Sequence, residues 1–198
     1  MTVFLDSIGI ILKKSHSSHY KIVILDKVQG KIECIAATPS FSIGTLITYT
    51  IRPDRTAQFI SDSALVYTPL SLAQADILFF HHVIELIYYF TQIGNCAKGV
   101  FELLSFLYAA EHEAITPQFK KIFLLKLLTC MGSVPDITPS HPDTITHLNT
   151  IDIQQINTVT IDTINEKKLD TWLWCCVWQH PYVNEFKTVH FLAENRAI

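Results

Sequence analysis

The first 70 residues of the chain contain five short segments at a spacing of about ten residues, rich in β-branched residues and separated by turns, and the three middle segments alternate along the chain. Alternation of this kind is typical of β-strands, and regularly spaced short strands predict a small barrel. Gly and Pro mark the turns. The predicted strands are SIGIILKK (7–14), HYKIVILD (19–26), GKIECIAA (30–37), TLITYTIR (45–52) and AQFISDSALVYTP (57–69).

After residue 70 the spacing of the apolar residues becomes helical. Ser71 is a predicted N-cap, and Gln74 completes a capping box with it. Thr116 caps a later helix that has Pro117 at its first position and ends at Gly132. The predicted helical segments are 71–92, 95–113, 116–132 and 167–192, the last interrupted at Pro181.

Residues 136–166 are rich in Thr, Ile, Asp and Asn and lose this periodicity. We expect an irregular insertion there, with one or two short strands or turns. The predicted helices must pack together, because none can bury its apolar face alone. The predicted fold is therefore α+β: an N-terminal five-stranded OB-type (oligonucleotide-binding) β-barrel in 1–70, followed by an all-α helical bundle in 71–198. An SH3-like barrel is the alternative for the first part.

Apolar residues make up 49% of the 198 residues and charged residues 17%, which indicates that the chain folds. The excess of apolar residues also suggests an exposed apolar surface or a partner. The most apolar segment, ILFFHHVIELIYYF, contains His81, His82 and Glu85 and is too short to span a membrane. The basic residues near the N-terminus follow the apolar run, which is the wrong order for a secretory signal. We therefore expect a cytoplasmic protein.

Nothing in the sequence indicates a metal, a cofactor or catalysis. The five cysteines show no CxxC spacing and are expected to be reduced thiols. His81, His82, Glu85 and His112 do not form a set of three or four converging metal ligands. No G-x-S-x-G segment or phosphate-binding Gly loop is present. An enzyme that uses the Thr-, Asp- and His-rich segment 136–166 remains one alternative.

Five segments, in this order, resemble the RecO family of bacterial recombination mediators. The first, IGIILKKSHSSHYKIVILDKVQGKIECIA, is similar to the family's opening G-I-V-L-K strand, polar turn, second strand and G-K third strand. The most specific match is FLLKLLTCMGSVPDI, which is similar to the family's F-x-L-x-L-L-x-x-x-G-x-x-P-D. The later segments are LFFHHVIELIYYF, VFELLSFLYAAE, FLLKLLTCMGSVPDI and LDTWLWCCVWQHPYVNEFKTVHFL.

The resemblance implies an OB barrel, a helical domain and a mediator of DNA repair and recombination that is not an enzyme. Such proteins bind single- and double-stranded DNA, anneal strands, contact the acidic C-terminal tail of the single-stranded-DNA-binding protein, and help RecR to load RecA. Two departures matter. The loop ATPSFSIG lacks the basic residues of many members, and 136–166 lacks the cysteines of the family's zinc site. We therefore expect weak DNA binding and no zinc.

Cations along the predicted barrel are the candidate DNA-binding residues, because phosphate binding depends on basic side chains fixed along a groove. Tyr20, Tyr49 and Phe59 could stack with bases. The alternative is that the cations are ordinary surface residues. The barrel could supply about half of the six to ten phosphate contacts that give a steep salt dependence, which predicts weak binding that is lost well below about 200 mM salt. The candidates are Lys13, Lys14, Lys31, Arg52 and Arg55.

The helix predicted for 116–132 is both basic and apolar and contains no acid. One interpretation is a shallow apolar pocket with a lysine at its rim that binds the tail of the single-stranded-DNA-binding protein. The other is a core helix whose lysines reach outwards. The candidate partner-binding residues are Lys120, Lys121, Phe123, Lys126 and Leu127.

Trp174, Trp178 and Tyr182 share one helix face near the end of the chain. They form either a core stripe or an exposed surface for a dimer or another partner. A protein–protein adaptor of the same architecture that does not bind DNA is the second alternative for the whole chain.

Overall fold

The computed structural model describes residues 5–16, 20–36, 41–53, 57–95, 98–133 and 142–188. All five predicted strands are confirmed, and they close into a barrel with the order β1-β2-β3-β5-β4. The pair β3–β5 is parallel and all the others are antiparallel. The strands are β1 (Leu5–His16), β2 (Tyr20–Asp26), β3 (Gly30–Ala36), β4 (Leu46–Pro53) and β5 (Gln58–Tyr67).

Both faces of β1 and β2 are apolar, because successive side chains point to opposite faces and each face belongs to a different core. One set of side chains fills the barrel, including Ile11, Ile24 and Tyr49. Four outward-facing residues of β1 and β2 instead join the core of the helices. These four are Ile10, Leu12, Val23 and Leu25. The barrel and the helical part therefore share a continuous apolar core.

A β-bulge in β1 lies beside the helices. Ile11 pairs with Ile24 inside the barrel, the next pair is Lys13 with Val23, and Leu12 is the additional residue between them. Leu12 lies in the core shared with the helices, and Lys13 contacts Tyr88 of the helical part. The bulge thus brings an apolar and a basic side chain to the boundary between the two parts.

Six α-helices follow the barrel in the described residues, and none is long and apolar enough to cross a membrane. Short 3-10 helices lie at His112–Ala114, Ile153–Thr158 and Val183–Glu185. The α-helices are α1 (Leu70–Ala75), α2 (Ile77–Phe90), α3 (Lys98–Ala109), α4 (Pro117–Cys130), α5 (Pro142–Thr150) and α6 (Thr163–Trp178).

Three helix predictions need correction. The first predicted helix is divided at Asp76, whose carboxylate caps α2 by accepting a hydrogen bond from Phe79 N at 2.8 Å. Ser71 is not the N-cap of α1. The second helix is shorter than predicted, and the described part of 136–166 forms α5, a 3-10 helix and the start of α6 rather than strands.

The prediction for α4 is confirmed at both ends. The Thr116 hydroxyl accepts a hydrogen bond from Phe119 N at 3.1 Å, and Pro117 occupies the first position. Gly132 follows the helix at φ +74°, where a residue with a side chain would be strained. α4 packs against α2, α3, α5 and α6, so nearly all of its surface is buried. A helix surrounded in this way has no polar face.

Helix α2 lies against β1 and the segment before β4. The Phe80 ring packs on Gly44, where a Cβ atom would lie 2.1 Å from the ring. The Tyr108 hydroxyl of α3 donates to Gly44 O at 2.6 Å. Gly44 has φ +81°, so both its conformation and its close contact require glycine.

Candidate functional site

Lys31 was predicted to bind DNA, but the structure places its ammonium at the junction between the barrel and α2. The ammonium donates to Tyr88 O at 2.5 Å and to Thr91 O at 2.8 Å, at the C-terminal end of α2. The residue is buried. Burial lowers the pKa of Lys31; nearby Glu33 raises it and Lys13 lowers it further. Because its donors are engaged inside the protein, we exclude Lys31 from the DNA-binding set.

Lys13 and Lys14 follow one another in β1 but bind different parts of the protein. The Lys13 ammonium lies 4.3 Å from the centroid of the Tyr88 ring and 3.1 Å from the Tyr88 hydroxyl. Lys14 donates to Phe41 O at 2.6 Å. The two cations therefore do not form one stripe on the barrel.

The other candidates on the barrel also diverge from one another. The Arg52 guanidinium is exposed and lies 3.6 Å from the Asp62 carboxylate. Arg55 lies outside the described residues. Tyr49 was predicted to stack with bases, but it lies inside the barrel and donates to the buried Asp26 carboxylate at 2.6 Å. Burial and this hydrogen bond raise the pKa of Tyr49, so it remains a neutral phenol.

One row of side chains on the outer face of the barrel crosses all five strands. Consecutive pairs in the strand registers connect its members, from β1 through β2, β3 and β5 to β4. The strand neighbours of these residues fill the barrel, so the row itself points outwards. We name it the outer row: Ser15, Lys21, Ile35, Phe59 and Arg52.

The outer row combines cations with apolar surface. Lys21 is exposed, Ile35 is half-buried and Phe59 is 38% exposed. Two carboxylates lie nearby: Asp62 pairs with Arg52, and Glu33 is exposed two residues before Ile35 in β3. Lys21 is one of the seven basic residues in the first 70, but only the strand register makes it and Ile35 neighbours of Phe59.

The predicted partner-binding residues of α4 lie inside the helical bundle. Phe123 and Leu127 are fully buried. Lys120 pairs with Asp76 at 2.5 Å, and Lys126 donates to Asn149 O at 3.0 Å and also to the carbonyl of Ile151. This geometry supports the interpretation of α4 as a core helix.

Lys121 holds α4 against α6. Its ammonium lies 2.7 Å from the Glu166 carboxylate and 2.9 Å from that of Asp170. Burial alone would lower the pKa of Lys121, but the hydrogen bonds to these two carboxylates outweigh it and raise the pKa. The lysines of α4 are therefore engaged by other elements of the bundle and form no rim around an open pocket.

A cleft of about 310 Å³ opens where the barrel meets α2. Leu12 and Ile84 are its buried apolar residues, and Tyr88 carries Lys13 over its ring. We name it the junction cleft; its lining includes Leu12, Lys13, Ile43, Ile84, Tyr88 and Lys187.

A short segment after the last 3-10 helix closes one side of the junction cleft. The Glu85 carboxylate accepts hydrogen bonds from Lys187 N at 2.8 Å, from Thr188 N at 2.9 Å and from the Thr188 hydroxyl at 2.5 Å. His82 Nδ1 lies 2.9 Å from the same hydroxyl. The Thr188 hydroxyl donates a hydrogen bond to Glu85, so it accepts a hydrogen bond from the N–H at His82 Nδ1. Burial lowers the pKa of His82 to about 3, which keeps the ring neutral.

The aromatic stripe of α6 is only partly buried. Trp174 and Trp178 stack with their ring centroids 5.1 Å apart, and Trp178 is 55% exposed. Tyr182 is 53% exposed. Of the two interpretations, a core stripe does not fit Trp178 and Tyr182, while a partner for the exposed surface stays a prediction.

No group of three His, Cys, Asp or Glu side chains suitable for a metal ion occurs in the described ranges. Comparison of the sequence with known protein families and with curated proteins finds no match.

Proposed function

We propose that the protein is a RecO-like, non-catalytic mediator of DNA repair and recombination, which binds single-stranded DNA weakly through its barrel. The observation that carries this proposal is the strand order β1-β2-β3-β5-β4 of the closed barrel, with its one parallel pair β3–β5. This topology fits an OB barrel, a fold that binds oligonucleotides on its strands and loops. The helical bundle that follows fits the architecture implied by the resemblance.

The helical part restricts where DNA could bind on this barrel. Val23 and Leu25 of β2 are covered by the helices, and Lys31 of β3 is engaged by α2. The outer row remains accessible at the other end of β2. In it, Lys21 and Arg52 would contact phosphates, and Phe59 would stack with a base. Lys13, Lys14 and Arg55 stay in the proposal as possible flanking contacts.

Fluorescence anisotropy of a labelled single-stranded oligonucleotide tests the proposal. Each phosphate contact contributes a slope of about −0.7 to a plot of log affinity against log salt concentration for single strands. The variant K21A/R52A should therefore bind more weakly at low salt, with a slope reduced by about 1.4. Phe59→Ala should weaken binding by about 1–3 kcal/mol without changing the slope.

Lys27→Ala is the matched control for these variants. Lys27 is an exposed barrel lysine at the other end of β2, about 20 Å from Lys21 at the rise of a strand. Removing Lys27 changes the net charge by the same amount as removing Lys21 but leaves the outer row intact. Equal losses for Lys27→Ala and Lys21→Ala would mean that binding depends on net charge alone, which would contradict the proposed interface.

The proposed partners are single-stranded DNA, RecR and the C-terminal tail of the single-stranded-DNA-binding protein. The two protein partners are proposed from the family resemblance alone. No residues are assigned to them, because the predicted partner-binding residues of α4 are engaged inside the bundle. Pull-down of the folded protein with RecR, and with a peptide of the acidic tail, tests each contact separately. A tail peptide that lacks its last residues is the control.

A protein–protein adaptor without DNA binding is the second candidate. It is favoured by the engagement of Lys31 and Lys14 with carbonyl oxygens and of Arg52 with Asp62, which leaves few phosphate-binding groups on the barrel. No anisotropy change at the lowest salt, with the protein folded by circular dichroism, would favour the adaptor over the mediator.

A further inference from the structure

We propose that the junction cleft binds a small amphipathic carboxylate, that is, a ring or short alkyl chain that bears one carboxylate group. This site is distinct from the outer row and does not depend on DNA binding. Its volume of about 310 Å³ lies at the lower end of the range for small-molecule pockets. Its apolar lining and its cations come from different elements, which the fold brings together.

The apolar part of the cleft is preformed. Leu12 and Ile84 are each only 3% exposed, so their positions are fixed by the core shared between the barrel and α2. Ile43 is 42% exposed and lies at the opening. A ring or chain that enters the cleft would rest on this fixed floor and cover the exposed surface of Ile43 and of the half-buried Tyr88, and this burial is the driving force for binding.

The lining of the cleft carries two lysines, Lys13 and Lys187, and one carboxylate, Glu85. Lys13 and Lys31 both lie over the Tyr88 ring, at 4.3 and 4.6 Å from its centroid. Neither forms an ion pair with a carboxylate of the described residues; the nearby Glu33 only raises the pKa of Lys31. The Lys13 ammonium is held by the Tyr88 hydroxyl, which leaves donors for an anion. Lys31 is not part of the lining, so Lys187 is the second lysine that an entering ligand would meet.

The acid in the cleft does not neutralise these lysines. The Glu85 carboxylate accepts three hydrogen bonds from Lys187 N, Thr188 N and the Thr188 hydroxyl, and it forms no ion pair with Lys13 among the described residues. An entering carboxylate would therefore meet Lys13 rather than an existing ion pair. A bare phosphate or sulfate has no apolar part to cover Ile43, which is 42% exposed, and this favours an amphipathic acid.

The probe is 4-phenylbutyrate, with 4-phenyl-1-butanol as its uncharged counterpart, and the readout is a titration of amide shifts in an NMR spectrum of the whole protein. A ligand of this size in a shallow site should bind with a dissociation constant of about 1 mM. The alcohol should bind at least about fivefold more weakly at low salt, and added salt should reduce the difference.

Two pairs of variants assign the site. Ile43→Trp fills the opening and should abolish the shifts, while Ser42→Trp places the same ring at an adjacent exposed position outside the lining. Lys13→Met should remove the preference for the acid over the alcohol, while Lys21→Met should preserve it. Lys13→Met keeps the test valid if Ile43→Trp does not fold.

Three outcomes would overturn the inference: no shifts with folded protein at about ten times the expected dissociation constant, equal affinity for acid and alcohol, or affinity that is unchanged in both Ile43→Trp and Lys13→Met. None of them bears on DNA binding by the outer row, which anisotropy measures with a different ligand. The two proposals can therefore fail independently.

Discussion

The lysines of α4 and the cations of the barrel were both predicted to bind an anionic partner, an acidic peptide tail and DNA respectively. The structure gives the lysines of α4 and those on the outer face of the barrel different environments. On α4, Lys121 and Lys126 reach carboxylates or helix-end carbonyls of other elements. On β2, the Lys21 ammonium has no hydrogen bond or ion pair with the described residues. A basic side chain becomes a binding group only where the fold leaves its charge unengaged, and the partners that engage it lie far away in sequence.

The largest expected effect contrasts two phenylalanines. Phe123→Ala in α4 should lower the free energy of unfolding by about 3–5 kcal/mol, because it leaves a cavity in the core. Phe59→Ala in the outer row removes a 38% exposed ring and should cost less than about 1 kcal/mol. Urea unfolding followed by circular dichroism measures both. Similar losses for the two variants would mean that α4 is not at the centre of the core.

Replacing Lys121 by Met tests its ion pairs with α6. The change leaves Glu166 and Asp170 near each other without a cation, and should cost about 2 kcal/mol, less than for a fully buried pair because Glu166 is partly exposed. Lys167→Met removes an exposed lysine of α6 and should be nearly neutral. If both variants unfold at the same urea concentration as the unaltered protein, these ion pairs do not hold α4 against α6.

The pH dependence of stability should reveal His82. Its pKa is lowered by burial to about 3 in the folded protein, against about 6.5 when unfolded, so the unfolded state binds the proton first. Stability should be complete above the unfolded pKa and should fall as the pH decreases, by about 2 kcal/mol at pH 5. His82→Asn, which keeps an amide near the Nδ1 position, should lose this contribution. The exposed His81→Gln should retain it, and equal pH profiles for the two variants would refute the assignment.

Lys31→Met tests the junction between the barrel and α2 and should have the smallest effect of the four. The carbonyls of Tyr88 and Thr91 lose their donor, but the cost of burying a cation is also removed, so we expect a loss of about 1 kcal/mol. Lys27→Met in the exposed β2–β3 turn is the matched control and should be neutral. Thermal unfolding compares them; a larger loss for Lys27→Met would contradict the role given to Lys31.

The barrel was the part of the fold that the sequence predicted best. Successive side chains of a strand point to opposite faces, which places Ile22 and Ile24 inside the barrel and Val23 outside it. All three are apolar because each face of β2 packs in a core. The β-bulge at Leu12 was not predicted, since an additional residue in one strand is defined only by its partner strand.

Helix α5 was missed because its sequence has little helical preference of its own. Thr, Asp and Asn dominate it, and Leu148 is its buried anchor. Lys126 of α4 binds the carbonyl of Asn149, near the end of α5, and that of Ile151 beyond it. Tertiary contacts of this kind are absent from a local pattern, so periodicity predicted an irregular segment.

The candidate sites were less predictable than the fold. Arg52 and Phe59 were identified in sequence, but Lys21 and Ile35 complete their row only through the pairing of four strands. The junction cleft likewise combines Lys13 with Tyr88, 75 residues apart. Such a site depends on how two distant parts of the chain are placed in the fold. Composition and local spacing carry no information about that placement.

The most direct test measures stability and DNA binding on the same two variants, Lys21→Met and Lys121→Met. If the two lysines differ as described, Lys121→Met should unfold more easily and bind single-stranded DNA as well as the unaltered protein does. Lys21→Met should unfold normally and bind less well at low salt. DNA binding lost by Lys121→Met and kept by Lys21→Met, with both proteins folded, would contradict the account.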